Sequence, residues 1–229
     1  MTDERDTTPP PIPSATVVPL RDGPGGLEVL MIERAAAIAY GGMWAFPGGR
    51  VDDRDADPDR PGDELARAVR TAVREAAEEV GLEFPAGALV PYSHWTGGAL
   101  QGRGRLYAAW YFLARSPAIG VVTDGHETVA HRWIAPAEAL ACRDRGEIAV
   151  VAPTWMTLHS LRGAATVADA LAQATARPPV VYRSKVAEAG GDRIVLWDGD
   201  AGYATADPVV AGPRHRLVMG TTDWTFERS

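Results

Sequence analysis

The sequence predicts an α/β domain over residues 14–177, preceded by a short tail and followed by a small β appendage over 178–229. Three observations carry that prediction. Short apolar runs suited to strands alternate with segments of helical period. One segment, 63–80, has a long and regular apolar stripe. From Arg177 onward the helical pattern stops, and short strand-like runs separated by Gly-containing turns replace it.

"MTDERDTTPPPIPS" is acidic and Pro-rich, which predicts disorder over 1–13 and neither a signal peptide nor a membrane anchor. "ATVVPL" (15–20) and "LEVLMIER" (27–34) flank "RDGPGG" and predict a hairpin. "AAAIAYGGM" reads as loop, and "WAFPGGRVD" as a short strand entering a tight turn. In 63–80, Leu65, Val69, Ala72, Val73, Ala76 and Val80 recur at spacings of three and four, and Gly81 supplies the stop. "ALVPYSHW", "RLYAAWYFLAR" (105–115) and "TVAHRWI" read as strands. "APAEALAC", 153–163 and 166–176 read as helices. In the appendage, "PPVVYRS", "DRIVLWD" and "HRLVMG" read as strands, packed on the same domain.

The formal net charge of −7 argues against nucleic acid as a partner, because a phosphate backbone needs a basic surface. A small anionic substrate stays open, since a metal ion can supply positive charge locally. The single cysteine, Cys142, rules out an intrachain disulfide and a cysteine-rich zinc site. No run approaches the length of a membrane span, so the expectation is a cytoplasmic protein with no membrane partner.

Residues 74–79, "REAAEE", place Glu75, Glu78 and Glu79 on one side of the helix, within about one turn. Three like charges so close repel. One reading is a solvated face with Arg70 and Arg74 as partners. The other is a site for a hard cation, because carboxylate oxygens are what Mg²⁺ and Mn²⁺ prefer.

With Phe46-Pro47-Gly48-Gly49 ahead of it and Gly81-Leu82 behind it, this segment resembles the Nudix hydrolase signature. That signature is Gly, five residues, Glu, seven residues, then Arg-Glu-aliphatic-x-Glu-Glu-x-Gly-aliphatic. The second half matches at Arg74, Glu75, Ala76, Glu78, Glu79, Gly81 and Leu82. The first half departs from it: Gly49 and Arg74 lie 25 residues apart, about 11 more than the pattern, and Ala66 stands eight before Arg74 where a Glu is expected. Asp63 and Glu64 are nearby substitutes, but Glu64 on a continuous helix sits about 16 Å from Glu75 at ~1.5 Å per residue. The interruption "DDRDADPDRPGD" is expected to be a solvent loop.

The resemblance implies a Nudix fold, a mixed sheet sandwiched between helices. It also implies Mg²⁺- or Mn²⁺-dependent cleavage of a pyrophosphate bond in a nucleoside diphosphate linked to another moiety. The interrupted signature and Arg34-Ala35 are similar to the coenzyme A diphosphatase branch, while the expected second loop arginine is absent at Ile38 and Ala39. By resemblance Glu75, Glu78, Glu79 and Gly49 form the metal site, and Arg74 holds a glutamate in place. Glu78 is a ligand or the base that activates water, and Glu127, chosen ahead of Asp124, is the remote acid. Arg34, Phe46 and Arg105 are assigned to substrate, with Arg103 beside the last. The alternatives are an ADP-ribose or NADH pyrophosphatase, or a Nudix-fold nucleotide-binding regulator without turnover. A homodimer is a further expectation.

Overall fold

The computed structural model describes residues 10–37, 40–97 and 106–229. Arg103, Arg105, Ile38 and Ala39 lie outside them, as does most of the tail. The chain divides into two compact units. One comprises Ser14–His94 and Trp110–Val181, and the other joins the described parts of Met1–Pro13 and Trp95–Ala109 to Tyr182–Ser229. Among the described residues no helix is long and apolar enough to cross a membrane.

β1 (Ile12–Gly23), in the larger unit from Ser14 onward, and β2 (Gly26–Arg34) form the expected hairpin, closed by the Gly23↔Gly26 pair. β1 starts two residues inside the segment expected to be disordered. β3 (Trp44–Ala45) pairs with β2, and β4 (Gly48–Arg50) pairs with β1, so the Gly-Gly turn is in fact a short strand. β5 (Val90–Gly97), β6 (Tyr107–Arg115) and β7 (Thr128–Ile134) complete the sheet in the order β5-β6-β1-β2-β3, with β7 also pairing β2. Bonds from Ile12 N to Leu106 O and from Ser116 N to Leu20 O show β1 and β6 running in the same direction, which makes the sheet mixed.

β2 is apolar without alternation, and Val29, Leu30, Met31 and Ile32 are all fully buried, as expected of a strand covered on both faces. One face carries α1 (Glu64–Val80). Its Ala68, Ala72, Ala76 and Val80, four residues apart, share a core with Ala15, Val17, Leu30, Ile32, Phe112 and Ala114. Small residues on the stripe let the helix axis approach the sheet closely. Asp63 caps the helix by accepting from Ala66 N at 2.9 Å, and Gly81 ends it in the left-handed region at φ 67°. α2 (Pro136–Asp144) packs against α3 (Ala152–Leu161) and β2, and α4 (Val167–Thr175) follows behind a Thr166–Asp169 capping box.

In the smaller unit, β8 (Val180–Ala189), β9 (Asp192–Leu196), β10 (His215–Met219) and β11 (Trp224–Arg228) form an antiparallel meander. Trp95 stacks on Tyr182 at 3.9 Å with Trp197 edge-on to it. Arg216 holds Asp200 bidentately at 2.6 and 2.7 Å, while His215 N and Gly202 N donate to the same carboxylate.

Candidate active site

The site is built where α1 meets β4. Pairing of β4 with β1 sets the Gly48 amide beside the last turn of α1, and Gly48 N donates to Glu79 Oε2 at 2.9 Å. Gly49 explains itself by contact: a Cβ there would run into the Glu75 carboxylate. Glycine is what allows strand and acid to lie this close.

Arg74 organises the acids around it. Its Nε and Nη2 donate to the two oxygens of Asp55, both at 2.9 Å, and Nη2 also donates to Arg50 O at 3.0 Å. Its Nη1 donates to Glu75 Oε1 at 2.8 Å and to Glu78 Oε2 at 2.9 Å. Bidentate arginine–carboxylate pairs fix orientation as well as charge. Asp55 is 3% exposed and also receives Asp52 N and the Thr71 hydroxyl, each at 2.9 Å. Burial pushes the Asp55 acid up, but Arg74, Asp52 N–H and Thr71 outweigh it and hold it at about 2.

This corrects the sequence expectation for the interruption. Asp55 follows Gly49 with five residues between them, the spacing the signature gives to its first Glu, so the added residues follow Asp55 instead of preceding it. The segment is not simply a solvent loop. Asp55 lies in a 3-10 turn, Asp53–Asp55, and Asp57 is 7% exposed and paired with Arg60 and Arg70 at 3.1 and 3.6 Å. The proposed substitutes do other work. Asp63 caps α1, and Glu64 accepts the Trp110 indole N–H at 3.0 Å. Counting forward from Gly49, and not only back from Arg74, was the signal that would have found Asp55.

Glu79 is 3% exposed and one of its oxygens, Oε1, has no hydrogen-bond partner. Burial raises its pKa to about 8 against the lowering influence of Gly48 N–H and Arg34, and Glu75 and Glu127 push it further up. Arg34 Nη1 stands 3.6 Å from Glu79 Oε1. Glu75 is raised too, by burial first, with Arg74 opposing and Glu78 and Glu127 adding repulsion. Glu127 belongs to this electrostatic group because the chain turns there. Between Glu33 and Arg34 the β2–β7 register shifts, with Arg34 opposite Thr128, and Ala35 N donates to Glu127 O at 2.8 Å. Glu78 lies at the exposed edge, paired with Arg74 and, at 3.3 Å, with Arg54. Phe46 is 2% exposed and its side chain serves the core.

Among the described residues no three His, Cys, Asp or Glu side chains converge tightly enough to cage an ion as they stand. The donor set nonetheless suits a hard cation. A buried carboxylate oxygen lacks a hydrogen bond, and the negative charges of neighbouring acids raise the proton affinity of Glu75 and Glu79, a conflict that a bound cation would resolve.

The centre is thus an acid-bearing helix, clamped by one arginine and set against a Gly-Gly strand. The NUDIX domain profile matches residues 10–177, and the chain belongs to the NUDIX family. A CTP pyrophosphohydrolase of Escherichia coli K12 is 32% identical over 120 residues, covering 52% of this chain and 73% of that protein. Together these support a pyrophosphohydrolase as the enzyme class. The fold is shared with a NUDIX hydrolase from Alicyclobacillus acidocaldarius, with TM-score 0.61, 22% identity, and coverage of 71% of this chain and 96% of that one. It is shared also with the NUDIX domain of Shewanella oneidensis NrtR, solved with ADP ribose, with TM-score 0.51, 16% identity, and coverage of 70% and 92%.

Proposed function

We propose that this chain hydrolyses the pyrophosphate linkage of a nucleoside diphosphate joined to a further group, with Mg²⁺ or Mn²⁺ held by Glu75, Glu79 and Glu127. The observation that carries the proposal is the Oε1 of Glu79, without a hydrogen bond and buried among acids beside the Gly48–Gly49 strand. A divalent ion bound there supplies positive charge against the phosphate oxygens. Arg74, tied to Asp55, fixes the direction of Glu75 and Glu78. Glu78 and Glu127, the two exposed carboxylates of the group, are the candidates to take the proton of the attacking water, Glu127 in that role standing outside the ligand set.

On the substrate, the Escherichia coli relative's name favours a nucleotide with a phosphoanhydride chain, and the structure of NrtR with ADP ribose favours a diphosphate-linked nucleoside. Coenzyme A rests on the interrupted signature and Arg34-Ala35, and Arg34 pairs with Glu79 at 3.6 Å. A hydrolysis panel of CTP, ADP-ribose, NADH and coenzyme A with Mg²⁺ and Mn²⁺ tests the proposal. Metal-dependent release of two phosphate-bearing products from at least one of them is expected. Uptake of nucleotide without product would instead identify a binding regulator. Whichever of Glu78→Gln and Glu127→Gln removes the proton acceptor should lower turnover ~10²-fold or more, the scale of general-base catalysis. Parent rates in both variants would refute those roles.

A further inference from the structure

We infer that Asp124 is a positioning residue that aims Glu127 at the acids of α1, an inference that rests on Glu127 belonging to the cation site. Asp124 gathers three successive backbone amides. Its Oδ1 accepts from His126 N at 3.1 Å, Glu127 N at 3.2 Å and Thr128 N at 2.9 Å, while Oδ2 also accepts from Glu127 N at 3.2 Å. Gly125, at φ 70°, makes the reversal that brings these amides round to one carboxylate. The loop so folded is anchored to the site on both sides. Before it, Val122 N donates to Val80 O at 3.1 Å and Asp124 N to Glu79 O at 3.2 Å. After it, Ala35 N, next to Arg34, donates to Glu127 O.

Both backbone polar groups of Glu127 are thereby fixed, its N–H by Asp124 and its C=O by Ala35. The backbone from which its side chain extends is held next to the end of α1, and its negative charge raises the proton affinity of Glu75 and Glu79. Both oxygens of Asp124 are engaged with amides. That arrangement suits a support of the site and not a ligand, as with the outer groups that orient metal-binding side chains.

The test uses the full chain, with Mn²⁺ alone as the probe and free Mn²⁺ counted by electron paramagnetic resonance. Glu127→Ala is expected to bind Mn²⁺ more weakly, and Asp124→Ala to weaken binding by about 10- to 100-fold. The double variant should bind no more weakly than Glu127→Ala, because the support acts only through the residue it supports. Asp124→Asn, which keeps an oxygen at the Oδ1 position, should bind close to the parent, and Asp124→Ser should fall between Asn and Ala. If Asp124→Ala does not fold, the Asn-against-Ser comparison carries the test. Losses that multiply in the double variant would overturn the inference, as would an Asp124→Asn loss equal to that of Asp124→Ala. Parent-like binding in Asp124→Ala, Asp124→Ser and Asp124→Asn beside a clear loss in Glu127→Ala would refute the positioning role alone. Parent-like binding in Glu127→Ala would instead remove the reading of Glu127 on which it stands.

Discussion

Replacing Asp55 by Asn tests whether the segment after Gly49 is part of the active site. The carboxylate accepts two guanidinium N–H bonds from Arg74, one amide and one hydroxyl, all at 2.9 Å and almost out of contact with water. Its acid is held at about 2 against the ordinary 3.8, and at ~1.4 kcal/mol per unit that difference amounts to about 2.5 kcal/mol of stability at neutral pH. Because the folded pKa is depressed, this stability is present above pH 3.8 and is lost as pH falls through about 2. Asn keeps one acceptor but offers an amide to a guanidinium, so the loss should be about 2–3 kcal/mol. In a domain of this size that lowers Tm by roughly 5–10 °C. Arg74 then loses its anchor, Glu75 and Glu78 lose theirs, and turnover on the best substrate of the panel should fall about 10- to 100-fold. Thermal unfolding and steady-state rates read both effects. The decisive control is the cycle with Arg74→Met: coupling of about 1.5 kcal/mol or more supports the clamp. Additive losses, or an Asp55→Asn protein with parent Tm and parent rate, would refute it.

Three further outcomes are expected. Gly49→Ala should leave Tm close to the parent's but depress turnover strongly, because its Cβ displaces only the end of the Glu75 side chain; Gly48→Ala meets Ala15 O and the Thr16 Cα at 2.5 and 2.7 Å and should lower Tm instead. Equal Tm losses in the two would contradict this division. Without cation, stability should fall as pH rises from 4.5 through about 8, since folded Glu79 retains a proton there that the unfolded chain has released. The upper bound is about 5 kcal/mol at ~1.4 kcal/mol per unit, and Glu79→Gln should flatten the slope. Denaturant unfolding in EDTA at mildly acid and mildly alkaline pH measures it, and equal stability of the parent at both would count against the buried, raised carboxylate. Asp200→Asn should destabilise the smaller unit by about 3 kcal/mol, because Arg216, 4% exposed, would be left buried beside a neutral partner; an unchanged unfolding midpoint would show the pair to be dispensable.

The strands and α1 were legible because each is stated by a local rule: a continuous apolar run for β2, a three-four spacing for α1, and a glycine at 81 that ends it. That Glu75, Glu78 and Glu79 lie on one helix was legible for the same reason. What one helix could not show was Asp55. Its partner Arg74 lies 19 residues on, and the intervening insertion breaks the spacing when it is counted back from the helix. β4 was hidden by its composition, since Gly-Gly reads as a turn until β1 pairs with it. The environment of Glu79 was likewise invisible. Burial and repulsion from Glu127 are tertiary effects, and the loop that delivers Glu127 is closed by Asp124, a residue whose importance is its contact with backbone and not its own chemistry.

The most direct measurement is a crystal of the full chain soaked in Mn²⁺ and examined by anomalous scattering. Density is expected within bonding distance of a Glu79 oxygen and of Glu75, with Glu127 turned toward the ion. A well-ordered crystal with these three carboxylates bare at millimolar Mn²⁺ would contradict it.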